Sequence, residues 1–312
     1  MSLDTVRLSV VIPLYNKADT IGRSLSSVLS QSLKDFEAIV VDDGSTDAGG
    51  EIVAATADRR VRLMRQQNAG AAAARNTGIS AARGSWIALI DADDFWSPDH
   101  LETLLAAASD TDVVLAFSNV RLQSRAGRPL IDPAVKPQRI EDYFRFALAH
   151  GGYPASASSV LIRRDQLVAS GLFPQGIPSG EDVDTWCRLA CRGTFLYTAR
   201  PTAMYFDRPQ RGAGESNRPK PIFPFFVERL PEMIHTGSVP PRLVGSAERY
   251  ANFLLLEYAR QLLDCDESRA ARAILLGRCR LVFDPKRYVR RLARTWPVGR
   301  MLFRLAGGVV GG

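Results

Sequence analysis

From residue 7 to residue 90 the chain alternates short, continuous apolar runs with stretches whose apolar residues recur every three or four positions. "RLSVVI" (7–12), "FEAIVV" (36–41), "VRLMR" (61–65) and "SWIALI" (85–90) have the length and β-branched content of strands covered on both faces. Between them, "DTIGRSLSSVLSQS" sets Ile21, Leu25, Val28 and Leu29 on one helical face. A short helix is expected after "DDGSTD", and the Ala-rich "GAAAARNTGISAA" predicts a third. Such alternation predicts an α/β fold with a parallel sheet and right-handed crossovers, whose ligands bind beyond the carboxyl ends of the strands.

Beyond residue 112 the pattern changes. Strands are expected at 113–118 and 159–163, separated by a Pro-rich connection and a helix near 140–149, and "GEDVDTWCRLACRG" (180–193) reads as a helix closed by Gly193. After "TFLYTARPTAMYF", the Gly-, Pro- and charge-rich "DRPQRGAGESNRPKP" reads as a mobile loop. From about residue 220 the periodicity is mostly helical, and no internal repeat is visible. The expected division is therefore 1–218, with halves 1–118 and 119–218, followed by a helical extension over 219–312.

Composition narrows the class. The chain has 312 residues, 46% hydrophobic and 23% charged, which suits one large domain or one with an appendage. Cys187, Cys191, Cys265 and Cys279 show no metal-type spacing, and they are expected to be reduced, buried thiols of a cytoplasmic protein. "LSVVIPLY" lacks the basic flank and cleavage site of a leader, and no apolar run approaches the ~20 residues that span a bilayer. The net charge of +7 is uneven: residues 269–304 hold 11 Arg or Lys against one acid, Asp284, a local +10 that leaves the remainder at −3.

Three polar clusters fall at strand ends: "PLYN" after the first, "DDGSTD" after the second and "DADD" after the fourth. On a parallel sheet they converge on one crevice. Asp91 and Asp93, two apart, form a pair of hard oxygen ligands suited to Mg²⁺ or Mn²⁺ bridging a diphosphate; a solvated turn ahead of the helix cap at Ser97 and Pro98 is the plainer alternative. Asp42 and Asp43 can accept from a base N–H and ribose hydroxyls, with Gly44 allowing close approach, or can build a turn with Ser45, Thr46 and Asp47. Arg75 can reach a phosphate or buttress the acids. Glu181, Asp182 and Asp184 suit a helix N-terminus, and one of them can serve as a general base. No G-x-G-x-x-G follows the first strand, which argues against a dinucleotide dehydrogenase.

"SVVIPLYN", "VVDDGSTD", "NAGAAAARNTGISAARGSWIALIDADD" and "GEDVDTWCRLA", in this order over about residues 7–208, resemble the inverting family 2 glycosyltransferases of the GT-A fold. The resemblance implies a Rossmann-like, mostly parallel sheet flanked by helices. It implies transfer of a sugar from a nucleotide-sugar donor, usually UDP-linked, to a hydroxyl acceptor such as a glycan or lipid-linked glycan, with inversion. Residues 1–118 then form the donor half and 119–218 the acceptor half. Pro13, Tyr15, Asn16, Asp42, Asp43, Gly44, Asn68, Gly70 and Ala92 would contact the donor. Arg75 would lie beside its diphosphate, and Asp91 and Asp93 would be the metal-binding DXD motif. Asp182 would be the catalytic base, with Glu181 orienting or binding the acceptor. Arg208 and Arg211 would contact the diphosphate from a closing loop. The membrane spans and tryptophan motif of processive synthases are missing, which implies one sugar added per encounter, in bacterial cell-surface or exopolysaccharide synthesis.

Two other readings remain. A sugar-nucleotide pyrophosphorylase would need an N-terminal phosphate loop that is not here; an inactive nucleotide-sugar-binding scaffold would need lost acids, and every acid is present. In "PKRYVRRLARTWPVGRMLFRL" (285–305), Tyr288, Val289, Leu292 and Trp296 share one helical face, apart from Arg287, Arg290, Arg291 and Arg294. This stretch is expected either to lie on an anionic membrane at the inner face of the cytoplasmic membrane or to pack on its own domain. No base-reading module accompanies the charge, which argues against nucleic acid.

Overall fold

A computed structural model describes residues 6–108, 112–122, 128–177, 179–205 and 221–296. The chain divides into two compact units. The first comprises residues 1–146, 153–177 and 181–209, and the second residues 147–152, 178–180 and 210–312.

The first unit begins with the expected alternation: β1 (Leu8–Leu14), α1 (Ala18–Leu29), β2 (Phe36–Asp42), α2 (Gly49–Ala54), β3 (Val61–Arg65), α3 (Ala71–Ala81) and β4 (Trp86–Leu89). There follow β5 (Phe95–Trp96), α4 (His100–Ala107), β6 (Val113–Leu122), β7 (Arg128–Pro129), β8 (Gln138–Ile140), α5 (Tyr143–Ala149), β9 (Val160–Arg163), α6 (Arg164–Ala169), α7 (Glu181–Ala190) and β10 (Thr194–Tyr205). The sheet order is β3-β2-β1-β4-β9-β6-β10-β5. β1 pairs in parallel with both β2 and β4, so the carboxyl ends of these three strands open on the same side. β9 runs antiparallel to β4 and β6, and β5 antiparallel to β10. The apolar pattern fixes that these segments are strands, but direction depends on pairing partners far away in sequence.

The continuous apolar runs are covered on both faces. Every residue of β2 is buried, and β1 is buried except for Pro13. The small residues of α3 have a steric cause: a Cβ on Gly78 would lie 2.4 Å from Val11 Cγ1, so only glycine lets this helix sit so close to β1. That closeness brings the Arg75 turn to the ends of the strands.

The second unit carries α8 (Phe225–His235), α9 (Pro241–Asp264), α10 (Ser268–Gly277) and α11 (Pro285–Ala293). The helical expectation for this part of the chain holds. On α11, Tyr288 and Leu292 pack with Leu256, Ala259 and Leu275, and Arg291 is buried against Glu257 at 2.6 Å. Much of the expected amphipathic face is therefore spent inside the unit, while Val289 and Trp296 remain exposed. Residues 297–305 lie outside the described residues. None of the four cysteines is in a disulfide, but only Cys187 is buried; the other three are partly exposed. No helix among the described residues is long and apolar enough to cross a membrane.

Candidate active site

A cavity of about 440 Å³ opens at the carboxyl ends of β1, β2 and β4. Pro13 and Tyr15 reach it from β1, and Asp43 from the residue after β2. Asn68 and Gly70 come from the turn into α3, Arg75 from α3 itself, and Asp91, Ala92 and Asp93 from the turn after β4. The three motif clusters thus meet where the parallel registers put them.

The "DDGSTD" acids are held mainly by backbone and amide donors. Asp43 accepts hydrogen bonds from the backbone N–H groups of Ala69 (2.9 Å) and Gly70 (2.8 Å) and from Gln66 Nε2 (2.7 Å). Asp42 accepts from the Ser45 N–H at 2.9 Å, closing a turn. Asn16, in the left-handed region at φ 50°, locks that turn by donating its N–H to Ser45 Oγ and accepting from the Thr46 N–H. Gly44 has φ +76°, and a Cβ there would lie 3.0 Å from the Asn68 amide nitrogen. Asn16, Asp42 and Gly44 therefore build the turn that supports the Asp43 wall.

The "DADD" acids are held differently. Arg75, nearly buried, donates to Asp91 at 2.8 Å and to Glu181 at 2.6 Å. Burial opposes the Arg75 charge, but these two carboxylates outweigh it and raise its pKa, so the guanidinium is permanently cationic. Asp93 is ion-paired with Lys17. Asp94 belongs to the scaffold: it is buried and accepts from Ser158 Oγ at 2.5 Å. The same Ser158 oxygen accepts from the Asp91 N–H, and Ser24 Oγ donates to the carbonyls of Ala92 and Asp94. The turn is fixed by its backbone, while Asp91 and Asp93 remain partly exposed.

Those two carboxylates meet a simple chemical test for a divalent ion. Among the described residues no group of three His, Cys, Asp or Glu side chains is gathered to cage a metal. Two hard oxygen donors on one turn are what Mg²⁺ or Mn²⁺ takes from a protein when substrate phosphates and water complete its shell. The donor set fits a metal shared with a diphosphate and does not fit an all-protein cage.

At the start of α7 the three acids separate by environment. Asp184 is buried and donor-matched by Arg188 Nε at 2.8 Å, one helical turn on. Glu181 is tied to Arg75. Asp182 accepts only from the adjacent Val183 N–H, at 2.7 Å, among the described hydrogen bonds. Its pKa is pushed up to about 6, first by burial and then by the Glu181 carboxylate, with Arg75 opposing. Of the three, Asp182 has the electrostatics of a base that works near neutrality.

The sequence alone gives no role to Lys17, Asn76 or Ser158. Lys17 follows "PLYN" at the ligand end of the sheet, and that position was the available signal. Asn76 exchanges two hydrogen bonds with the Phe173 backbone, at 2.8 and 3.0 Å, while Arg75 lies over the Phe173 ring. "ARN" thus ties the acids on one side and the 173 segment on the other. Arg208 and Arg211 lie outside the described residues.

Residues 9–165 match the family model described as "Glycosyl transferase family 2". The succinoglycan biosynthesis protein ExoO of Rhizobium meliloti is 44% identical over 124 residues, covering 39% of this chain and 36% of that protein. The putative glycosyltransferase EpsH of Bacillus subtilis is 40% identical over 179 residues, 55% of this chain and 52% of that protein. The chain thus spans from about a third to half the length of these relatives. Among solved structures, S. aureus TarS 1–349 in complex with UDP-GlcNAc superposes with a TM-score of 0.66 at 18% identity, over 93% of this chain and 80% of that one. The mannosyltransferase PcManGT from Pyrobaculum calidifontis, in complex with GDP-Man and Mn²⁺, gives 0.60 at 20% identity, over 95% and 82%. At such identities the likeness shows the fold, which is that of the GT-A glycosyltransferases.

Proposed function

The chain belongs to glycosyl transferase family 2, and from that premise we propose that it transfers a sugar from a nucleoside-diphosphate donor to a hydroxyl acceptor with inversion, in polysaccharide assembly. The observation that carries this reading is the Arg75 bridge. One buried cation joins Asp91, on the donor side, to Glu181, the neighbour of Asp182. That bridge supports the reading, because it holds the acid proposed for the diphosphate side and the neighbour of the proposed base on one fixed cation. The names of the similar proteins support the class: one is bound to UDP-GlcNAc, another to GDP-Man and Mn²⁺, and one belongs to succinoglycan biosynthesis.

In this mechanism Asp182 accepts the proton of the acceptor hydroxyl as its oxygen attacks the anomeric carbon. Glu181, fixed by Arg75, orients the acceptor. Tyr15, exposed at the end of β1, and the Asn68–Gly70 turn held by Asp43 form the nucleoside side of the cavity. Asp91 and Asp93 would hold Mn²⁺ or Mg²⁺, which when bound neutralises charge on the departing diphosphate. Lys17 and Arg75 place further positive charge there.

Calorimetry with UDP and GDP, with Mn²⁺ and with chelator, tests the donor side, and release of nucleotide from the matching nucleotide-sugar tests turnover. Metal-dependent binding lost in Asp91→Asn is the expected result. Binding without turnover on any hydroxyl acceptor would favour an inactive scaffold, and no binding of UDP, GDP or the adenosine, cytidine and thymidine diphosphates would end the proposal.

A further inference from the structure

The second unit contains its own cavity of about 360 Å³, between α8, α9 and the connection from α10 to α11. Its walls are mainly apolar, from residues such as Val227, Leu230, Ala251, Leu255 and Phe283. Polar groups enter at few points. Asn252 lines the cavity and is 3% exposed. Its Oδ1 accepts from the Arg280 N–H at 2.6 Å, yet its Nδ2 finds no acceptor among the described residues. A buried amide donor left unpaired is destabilising, so an acceptor from outside the chain would remove a standing penalty. Arg278, Arg280 and one acid, Glu248, also line the cavity. Arg278 pairs with Glu228 at 2.8 Å, and Arg280 only loosely with Glu248, at 3.8 Å.

The surface beside the cavity has the same dual character. The turn Leu281–Phe283 presents Leu281 and Val282, the latter 79% exposed, directly after Arg280, and Leu276 is exposed on α10. This turn lies within residues 269–304, which carry a sequence excess of +10; Arg278, Arg280, Arg287, Arg291 and Arg294 have acidic partners, but Arg280 and Arg287 stay about half exposed or more. Apolar side chains projecting from a cationic ground suit a bilayer surface that carries negative charge. An apolar cavity with a few convergent donors suits a ligand with a chain and a polar head.

We propose that this cavity is a binding site for one anionic membrane lipid: its apolar chain fills the space between α8 and α9, and its phosphate accepts hydrogen bonds from Asn252 and Arg280. The site belongs to the helical unit alone and does not depend on the residues proposed for transfer, so it stands or falls separately from them.

The probe is monomeric dodecyl phosphate, titrated calorimetrically into the full chain, with inorganic phosphate and dodecyl maltoside as the two controls. Saturable binding of dodecyl phosphate is expected, with no heat from inorganic phosphate and about tenfold weaker binding of the neutral maltoside. Ala251→Met, which fills the cavity, and Arg280→Gln, which removes an exposed charge, should each weaken binding about tenfold. Asn252→Asp keeps the acceptor for the Arg280 N–H but loses the donor, and should abolish binding; with Arg280→Gln it carries the test if Ala251→Met does not fold. Flotation with phosphatidylglycerol vesicles, and not with phosphatidylcholine, should follow the same order of variants. The proposal is overturned by an absence of saturable binding, by equal binding of inorganic phosphate or of the maltoside, by insensitivity to Arg280→Gln, or by failure to float with anionic vesicles.

Discussion

Two acidic turns stand at the ends of neighbouring parallel strands, built from the same residue type, and they are wired in opposite ways. Asp43 takes its hydrogen bonds from two backbone N–H groups and a glutamine amide, and Asp42 from a backbone N–H. Asp91 and Asp93 take theirs from side-chain cations, Arg75 and Lys17. A carboxylate held by backbone is part of the scaffold, because releasing it means unmaking a turn. A carboxylate held by a side-chain cation can exchange partners, because a metal ion or a phosphate can replace one half of the pair. Within "DADD" the same division recurs, with Asp94 buried on Ser158 and its two neighbours left for exchange. On α7 the division follows burial and not the kind of donor: Asp184 is fully buried on Arg188, while Asp182 accepts only from the adjacent Val183 N–H among the described hydrogen bonds.

The α7 pair gives the largest contrast. Asp182→Asn should lower kcat by about 10²–10⁴-fold, the usual worth of a general base, while donor binding and the thermal midpoint stay at or above wild type. Asp184→Ala should do the reverse. Breaking a buried ion pair costs about 3–5 kcal/mol, so the midpoint drops while donor affinity, measured well below that midpoint, is retained. If Asp182→Asn keeps full activity, Asp182 is not the base, and Glu181 becomes the candidate.

The strand-end turns give the next. Asp43→Ala removes the acceptor of the exposed Ala69 and Gly70 N–H groups, each hydrogen bond worth about 0.5–1.5 kcal/mol, so denaturant midpoints should fall and the Asn68–Gly70 turn should lose hydrogen-exchange protection. Asp91→Asn leaves Arg75 paired with Glu181 and should cost much less stability, while metal-dependent nucleotide binding disappears. Equal destabilisation by the two substitutions would erase the distinction between scaffold and exchangeable acids.

Acidity offers a smaller test. Asp182 acts as a base only when ionised, and its pKa is raised to about 6. The ratio kcat/KM, which reports the free enzyme, should therefore fall by about tenfold per pH unit below 6 and level off above it. Because the folded chain holds this proton more tightly than the unfolded chain, Asp182 also withdraws stability as pH climbs from the ordinary carboxylate range to 6. Asp182→Asn should flatten both profiles.

The sequence reveals the strands and the meeting of the clusters because both follow from local pattern plus one rule, that parallel strands end together. "SVVIPLYN" and "WIALIDADD" place Pro13, Tyr15, Asp91 and Asp93 on one cavity without any knowledge of contacts. What it does not reveal is the partner of each acid. Asp42, Asp43, Asp91, Asp93 and Asp94 read alike, and only the fold tells which one finds a backbone amide, an arginine 16 residues back or a serine 64 residues on. Strand direction at β9 and the burial of Arg291 against Glu257 are hidden for the same reason. They depend on neighbours that no local pattern names.

Lys17 supplies the smallest test. Its pair with Asp93 is partly exposed, and such pairs contribute about 0.2–1 kcal/mol. Lys17→Gln should therefore leave the thermal midpoint almost unchanged. With no nucleotide present, Lys17 competes with a divalent ion for Asp93, so its removal should tighten Mn²⁺ binding by up to about fivefold, the equivalent of that pairing energy. With a nucleoside diphosphate present the sign should reverse, because the ammonium freed from Asp93 is then lost as a partner for phosphate oxygens. Mn²⁺ affinity that ignores Lys17→Gln would mean that the metal does not use Asp93, leaving Asp91 alone on the exchangeable side of the comparison.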